Sequence, residues 1–286
     1  MVPTSKKVAL LVHACDRYEL LFQGFEYFFK LHWDFNIPCD YYFATEEKTV
    51  AMPHFTNIKS GRGEWSNRLA TLLDQIDADF ILYFQEDMWL NKPVDADFFT
   101  QLFAVATAEN WQQVKLNSSE VFKTNPTELF INGFNVAKID NQASGYLMSH
   151  QVTLWEKSFL KAQLKPNEHP WRNERKGTKR LKKLNPTIFH LDYFAENGKP
   201  AINENQANAQ RSEYQSISAN ATLNYNAAPF LEILKNAAEL DAYSKQLSHH
   251  FEHQITHDGK PKPMKQGIFK RLKNWWRSIF SSSSKK

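Results

Sequence analysis

The sequence predicts an α/β fold, a mostly parallel sheet flanked by helices, and three observations carry that expectation. Apolar runs of strand length alternate with segments of helical spacing through the first ninety or so residues. Those runs end in polar, acidic-rich groups, and open parallel sheets bind ligands beyond the carboxyl ends of their strands. The 286 residues are 42% hydrophobic and 14% aromatic, which suits a sizeable core and excludes a disordered or collagenous chain.

The elements follow in order. Lys7–Ala14 reads as a buried strand closing in the polar group Cys15-Asp16-Arg17. A helix containing LLFQGFEYFFKLHW comes next, then a turn at Asn36–Pro38 and a second strand, Asp40–Ala44. Trp65–Ile76 has helical spacing, and Phe80–Phe84 is a continuous apolar run that ends in Gln85-Glu86-Asp87. Beyond it the pattern gives a helix at Asp97–Ala108, strand-like pieces at 114–116 and 129–133, and a helix at Trp155–Leu164. A strand at Thr187–Phe194 precedes an Asn/Gln/Ala-rich region, 200–250, that turns helical late.

Several function classes drop out. With only 9 glycines there is no GxxxxGK[ST] or GxGxxG loop, so P-loop and standard dinucleotide chemistry are not expected. Cys15 and Cys39 stand alone, which implies neither a zinc ribbon nor a disulfide framework and fits a reducing compartment. The N-terminal apolar run is short and closed by Asp16-Arg17, a first strand rather than a signal peptide. His249, His253 and His257 share one helical face, but without an HExxH order or an accompanying ligand set they are not read as a zinc site.

Charge is spread unevenly. The formal net charge is +4, yet from Gly259 onward nine basic residues stand with no acidic one, leaving residues 1–258 at −5. The body therefore lacks the broad basic surface of a nucleic-acid binder, and no nucleic-acid partner is expected. In the tail, Ile268, Phe269, Leu272, Trp275, Trp276, Ile279 and Phe280 form one stripe of a helix, opposite Lys270, Arg271, Lys273 and Arg277. Residues 259–286 read as a basic amphipathic helix and tail lying on an anionic membrane surface, too short to span it.

The chemistry centres on Gln85-Glu86-Asp87. Adjacent carboxylates at the end of a buried central strand are costly unless they bind something, and a divalent ion carrying a nucleotide diphosphate is a common solution. This run resembles the acidic signature (DxD) of GT-A-type glycosyltransferases, with Gln85 and Asp87 at the positions of its two aspartates. The order HACDR, FATEE, GRGEWSNRLATLLDQI, FILYFQEDMWL is similar to the nucleotide-binding half of family-2-like bacterial glycosyltransferases of polysaccharide and lipopolysaccharide synthesis. It covers residues 7–95 and, more loosely, the chain to about 198.

The resemblance implies a GT-A catalytic domain over 1–198, with a nucleotide-sugar half (1–95) and an acceptor half (96–198), then a helical extension (199–258). It places His13, Asp16, Arg17, Arg68, Glu86 and Asp87 against the donor, with Asp87 ligating Mn²⁺ or Mg²⁺. In the acceptor half, around SGYLMSHQVTLWEKSFLKAQLKPNEHPWRNER, it implies an acidic base, Glu174 or alternatively Glu168, with Gln151 and Trp171 on the acceptor side. Pro170 suits a first helical position, which sets Trp171 and Glu174 one turn apart. The implied activity is an inverting transfer from a nucleotide sugar to a glycan or lipid-linked acceptor, performed in the cytoplasm at the inner membrane face. A nucleotidyltransferase and a non-catalytic membrane-associated binding module are the other readings.

Overall fold

Two hydrophobic cores, one on each face of a single large sheet, explain why the central runs Val8–Val12 and Phe80–Phe84 are apolar at every position. The computed structural model describes residues 6–202 and 209–261. The first half consists of β1 (Val8–His13), a 3₁₀ turn (Asp16–Leu21) leading into α1 (Phe22–His32), β2 (Asp40–Thr45), β3 (Thr56–Lys59), α2 (Trp65–Gln75) and β4 (Phe80–Phe84). Val8, Leu10 and Val12 of β1, with Phe80, Leu82 and Phe84 of β4, enter one core. Ala9, Leu11, Ile81 and Tyr83 enter the other. Side chains alternate across a strand, so a strand covered on both faces reads as one unbroken apolar run.

Next come β5 (Met88–Leu90), α3 (Ala96–Ala108), β6 (Gln113–Asn117), β7 (Thr124–Ile131), β8 (Phe134–Ile139), β9 (Thr153–Glu156), α4 (Lys157–Gln163), α5 (Pro170–Leu184) and β10 (Phe189–Glu196). The chain closes with β11 (Ser212–Ser216), a small hairpin of β12 (Ser218–Ala219) and β13 (Thr222–Leu223), α6 (Ala228–Lys235) and α7 (Asp241–Glu252). The sheet runs β3-β2-β1-β4-β9-β6-β10-β11-β5, with β8 and β7 added beside β10. Along that path only β9 and β5 run against the rest. Phe25 of α1, Phe98 of α3, Leu234 of α6 and Leu247 of α7 pack on one face. Leu69 of α2, Phe159 of α4 and Leu181 of α5 cover the other.

This arrangement is the expected α/β class, a mostly parallel sheet between helices. Its curvature follows from connectivity. β5 ends the strand order with four strands between it and β4, although only Gln85-Glu86-Asp87 separates the two in sequence. Four extended peptide steps reach at most about 14 Å, so the far edge must curl back toward the end of β4. Ile217 donates its backbone N–H to the Asp87 carbonyl (3.0 Å) at that closure. The acidic motif therefore stands at the seam of the sheet.

Some elements differ from the sequence pattern. Trp155, expected to open a helix, lies inside β9, in register with Ile81 of β4 and Gln113 of β6. Its helix begins only where the Glu156 carboxylate accepts the N–H groups of Ser158 (3.0 Å) and Phe159 (2.6 Å). The piece at 129–133 is part of the β7–β8 hairpin, turned at Asn132 (φ 45°) and Gly133 (φ 83°). The region expected as a helical extension supplies β11 to the main sheet before its late helices. The amphipathic stripe of Ile268, Phe269, Leu272, Trp275, Trp276, Ile279 and Phe280 lies outside the described residues. Among the described residues, no helix is long and apolar enough to cross a membrane.

Candidate functional site

At the carboxyl ends of β1 to β3, loop backbones are locked by a few polar side chains. Asp16 Oδ1 accepts the N–H of Glu46 (2.9 Å), and its Oδ2 those of Glu47 (2.9 Å) and Lys48 (3.1 Å). Glu46 Oε2 returns the favour to the Asp16 N–H (3.0 Å) and the Cys15 thiol (3.3 Å). Arg68, only 6% exposed on α2, joins all three loops. It donates to the Ala14 carbonyl (2.6 Å) and Ser60 Oγ (3.1 Å) and pairs with Glu46 Oε1 (3.3 Å).

His13 is buried against the Trp65 ring, its Nδ1 at 3.2 Å from the Tyr83 hydroxyl. Burial, then the neighbouring Arg68 and His150, hold it well below the ordinary histidine range, so it is neutral. Arg17 stands at the surface beside Asp258 (3.4 Å). Of the four residues expected to meet the donor here, three are thus engaged with the chain's own loops and core, and the fourth is exposed.

The acidic motif is different. Glu86 is 5% exposed, and burial together with the Asp87 charge drives its carboxyl well above the usual range. Burial lifts Asp87 to about 6. The phenol of Tyr18 is pushed to about 12, by burial first and then by the charges of Glu86 and Asp87. Its ring lies 4.7 Å from that of His257, whose Nε2 is 2.8 Å from Ser218 Oγ. A cleft of about 500 Å³ is lined by Asp16, Arg17, Lys48, Gln246, His257 and Asp258 among others, with neither Glu86 nor Asp87 in its lining.

Glu174 follows Pro170 into α5 as the sequence predicts. Its Oε1 accepts the His150 backbone N–H (3.1 Å), while Oε2 has no hydrogen-bond partner among the described residues. Burial raises its pKa, Lys115 opposes that shift, and Glu196 adds to it. Burial first, then the Glu86 charge, raise the phenol of Tyr83, next to last in β4. The other base candidate, Glu168, is consumed by Arg180 (3.0 and 2.9 Å) and Asn173 (2.8 Å), which keep it below the usual range against its burial. Trp171 is 68% exposed, with the His169 ring 5.3 Å away. Gln151 Oε1 accepts the Tyr214 hydroxyl at 2.7 Å.

Four further residues join this side that the sequence pattern left unmarked: Lys115 and Asn117 on β6, Glu196 at the end of β10, and Tyr214 on β11. Asn117 Nδ2 donates to Glu196 Oε2 (3.0 Å). The charges of Glu196 and Asp87, after burial, raise Tyr214. Looking for acidic residues at strand ends, the rule that marked Asp87, finds Glu196 as well once the strand is carried two residues past Phe194.

Among the described residues no three His, Cys, Asp or Glu side chains form a metal-binding group. The metal expectation therefore rests on Asp87 alone. One carboxylate suits a Mg²⁺- or Mn²⁺-type ion that takes its other ligands from a diphosphate and water.

No family model matches the chain, and no curated protein matches it. Among solved structures, residues 1–349 of TarS from S. aureus share 12% identity over 87% of this chain and 71% of theirs, with a TM-score of 0.46. The same protein in complex with UDP gives 13%, the same coverages and 0.44. A UDP-glucose pyrophosphorylase complexed with UDP-glucose gives 10% over 65% of this chain and 90% of its own, with a TM-score of 0.38.

Proposed function

We propose that the protein is an inverting glycosyltransferase that moves a sugar from a nucleotide-sugar donor to a glycan or lipid-linked acceptor in cell-surface polysaccharide or lipopolysaccharide synthesis. The observation that carries this reading is the seam itself. Two carboxylates, Glu86 buried and Asp87 partly so, directly follow β4 at that closure, and the partly buried Glu174 keeps one oxygen without a hydrogen-bond partner among the described residues.

The chemistry is a single displacement. Glu174 Oε2 takes the proton of an acceptor hydroxyl as that oxygen bonds to the anomeric carbon. The bond from that carbon to the donor phosphate oxygen breaks, and its electron pair leaves with the diphosphate. The raised pKa of Glu174 suits a base that must hold this proton near neutral pH. Asp87 would hold a divalent ion through one carboxylate, and that ion would neutralise the charge of the leaving diphosphate. The stripe from Ile268 to Phe280 would hold the enzyme at the inner face of the cytoplasmic membrane, where lipid-linked acceptors reside.

Thermal denaturation of the full chain with UDP, GDP, CMP and dTDP, each with and without Mn²⁺, tests the donor side. A nucleotide at 100 times its dissociation constant adds about 2.7 kcal/mol of stability. One nucleotide should raise the melting temperature, and Asp87→Ala should abolish the Mn²⁺-dependent part. A folded protein indifferent to all four would refute the reading. Sedimentation with vesicles containing anionic lipid, lost in a chain ending at residue 261, tests the membrane arm.

A further inference from the structure

Positive charge in the body of the protein is concentrated on α5. Its 15 residues hold seven basic side chains and one acidic, whereas the rest of residues 1–258 holds 19 basic against 30 acidic. The helix buries one stripe, Asn173, Gly177 and Leu181, spaced i, i+4 and i+8. With 3.6 residues per turn, Arg172, Arg175, Lys176, Lys179 and Lys183 fall on the opposite side, and all five are exposed. Trp171, 68% exposed, stands on that side in the first turn.

The chain supplies this face with no anions. Among the described residues, the ion pair that ties an α5 cation to a carboxylate is that of Arg180 with Glu168 (2.9 Å). Glu168 is thereby taken, although the Lys176 charge also acts on it. Lys182 turns to the Gln142 carbonyl (2.8 Å). Glu174, the one acid of the helix, lies on the flank of the buried stripe and accepts the His150 N–H. On the outer face like charges therefore repeat at i+3 and i+4, from Arg172 to Arg175 and Lys176, from Arg175 to Lys179 and on to Lys183, and such pairs disfavour a helix in water. A surface of negative charge relieves that repulsion. A plane meets one helix face along its whole length while the acidic remainder of the body turns away. A nucleic acid strand instead needs a basic groove with stacking aromatics, and α5 is a ridge. The exposed indole beside the cations matches the level of lipid headgroups, where tryptophan partitions.

We propose that the outer face of α5 lies on an anionic phospholipid surface, as a second contact alongside the basic tail. The proposal rests on the membrane placement in the reading above and adds to it the face of the body that meets the lipid. Two linked contacts, each weak alone, hold far better together, because the second forms at the high effective concentration set by the first. The contact also orients the chemistry. Glu174 follows Trp171 by one turn, so lipid against α5 brings its carboxylate within about one helix diameter, 10–12 Å, of the headgroups.

Sedimentation of the full chain with phosphatidylcholine vesicles, with and without phosphatidylglycerol, tests it. Each Lys or Arg at an anionic surface contributes about fivefold in affinity. Replacing Arg172, Arg175, Lys179 and Lys183 together by Gln should weaken binding to the anionic vesicles at least tenfold, with melting within about 2 °C of wild type. Trp171→Ala, which changes no charge, should weaken it at least threefold. A control with Lys30, Lys138, Lys235 and Lys245 replaced by Gln, all exposed and on other elements, removes the same charge and should lose less than threefold. Equal losses in the two fourfold variants refute the assignment to α5, because net charge alone then sets the affinity. An α5 variant within threefold of a wild type that binds also refutes it and leaves the tail as the membrane contact. An α5 variant that keeps vesicle binding but loses binding to polyuridylate overturns the lipid assignment in favour of RNA. A folded wild type that ignores the anionic vesicles overturns the membrane placement and this contact together, while the nucleotide melting shifts still decide the donor side.

Discussion

Arg68→Met separates a residue that builds the site from one that meets the donor. The methionine keeps most of the buried length and removes the guanidinium, which bonds the Ala14 carbonyl and Ser60 Oγ and pairs with Glu46. Breaking a buried ion pair by removing one partner costs about 3–5 kcal/mol. Glu46 keeps the Asp16 N–H and the Cys15 thiol and is partly solvated, so the lower end, about 3 kcal/mol, applies. For a domain of this size each kcal/mol lowers the melting temperature by about 2–4 °C, so a fall of roughly 6–12 °C is expected by circular dichroism. The melting shift produced by the cognate nucleotide should survive in reduced form. A variant that melts within about 2 °C of wild type but loses the nucleotide shift would refute the argument and put Arg68 on the donor.

Three other expectations follow from the geometry. Glu174→Gln should lower turnover by about 10²–10⁴ with little change in melting; wild-type kcat/KM should rise with pH through the raised Glu174 pKa, because the base works deprotonated, and the variant should lose that rise. Lys115 is lowered to about 7 by burial, so the unfolded chain binds more protons between that pH and the ordinary lysine value, and this group's contribution to stability rises with pH across that window. Lys115→Met should therefore melt above wild type at pH 6, with a gain that shrinks toward pH 10; an advantage independent of pH would sink the idea. Gly24→Ala would bring a methyl to 2.1 Å from Trp89 Cη2 and 2.7 Å from the Tyr243 hydroxyl, and differential scanning calorimetry should show a loss of about 1–3 kcal/mol.

The parts of the fold that sequence made legible are those where one rule acts alone. Phe80–Phe84 is apolar at every position because both faces are covered, and its expected and observed bounds coincide. Pro170 opens α5 as expected. Thr124–Ile131 was harder to read, since β7 pairs only with β8 and most of its side chains face solvent; the Asn132-Gly133 turn was its strongest local signal. Trp155 illustrates tertiary override, because its neighbours in β4 and β6 decide its conformation over local helical spacing. At the site, Asp87 and Glu174 were visible as acidic residues at a strand end and a helix start. The role of Arg68 as a clamp was not, because its partners lie on three loops that only the folded sheet brings together.

The closing of the sheet at Gln85-Glu86-Asp87 also has a kinetic side. β5 gains its neighbour only when β11 arrives, and Asp87 is fastened by Ile217. Roughly 125 residues separate Asp87 from that strand, so at 5–20 residues per second the ribosome needs about 6–25 s to deliver it. Until then the two carboxylates sit at the end of an unfinished sheet and remain hydrated. Contacts of such long sequence separation slow folding, and the step that buries Glu86 and Asp87 is one that the N-terminal half cannot take unaided. Pulsed hydrogen exchange should accordingly find the amides of β5 protected with those of β11, later than those of β1 and β4.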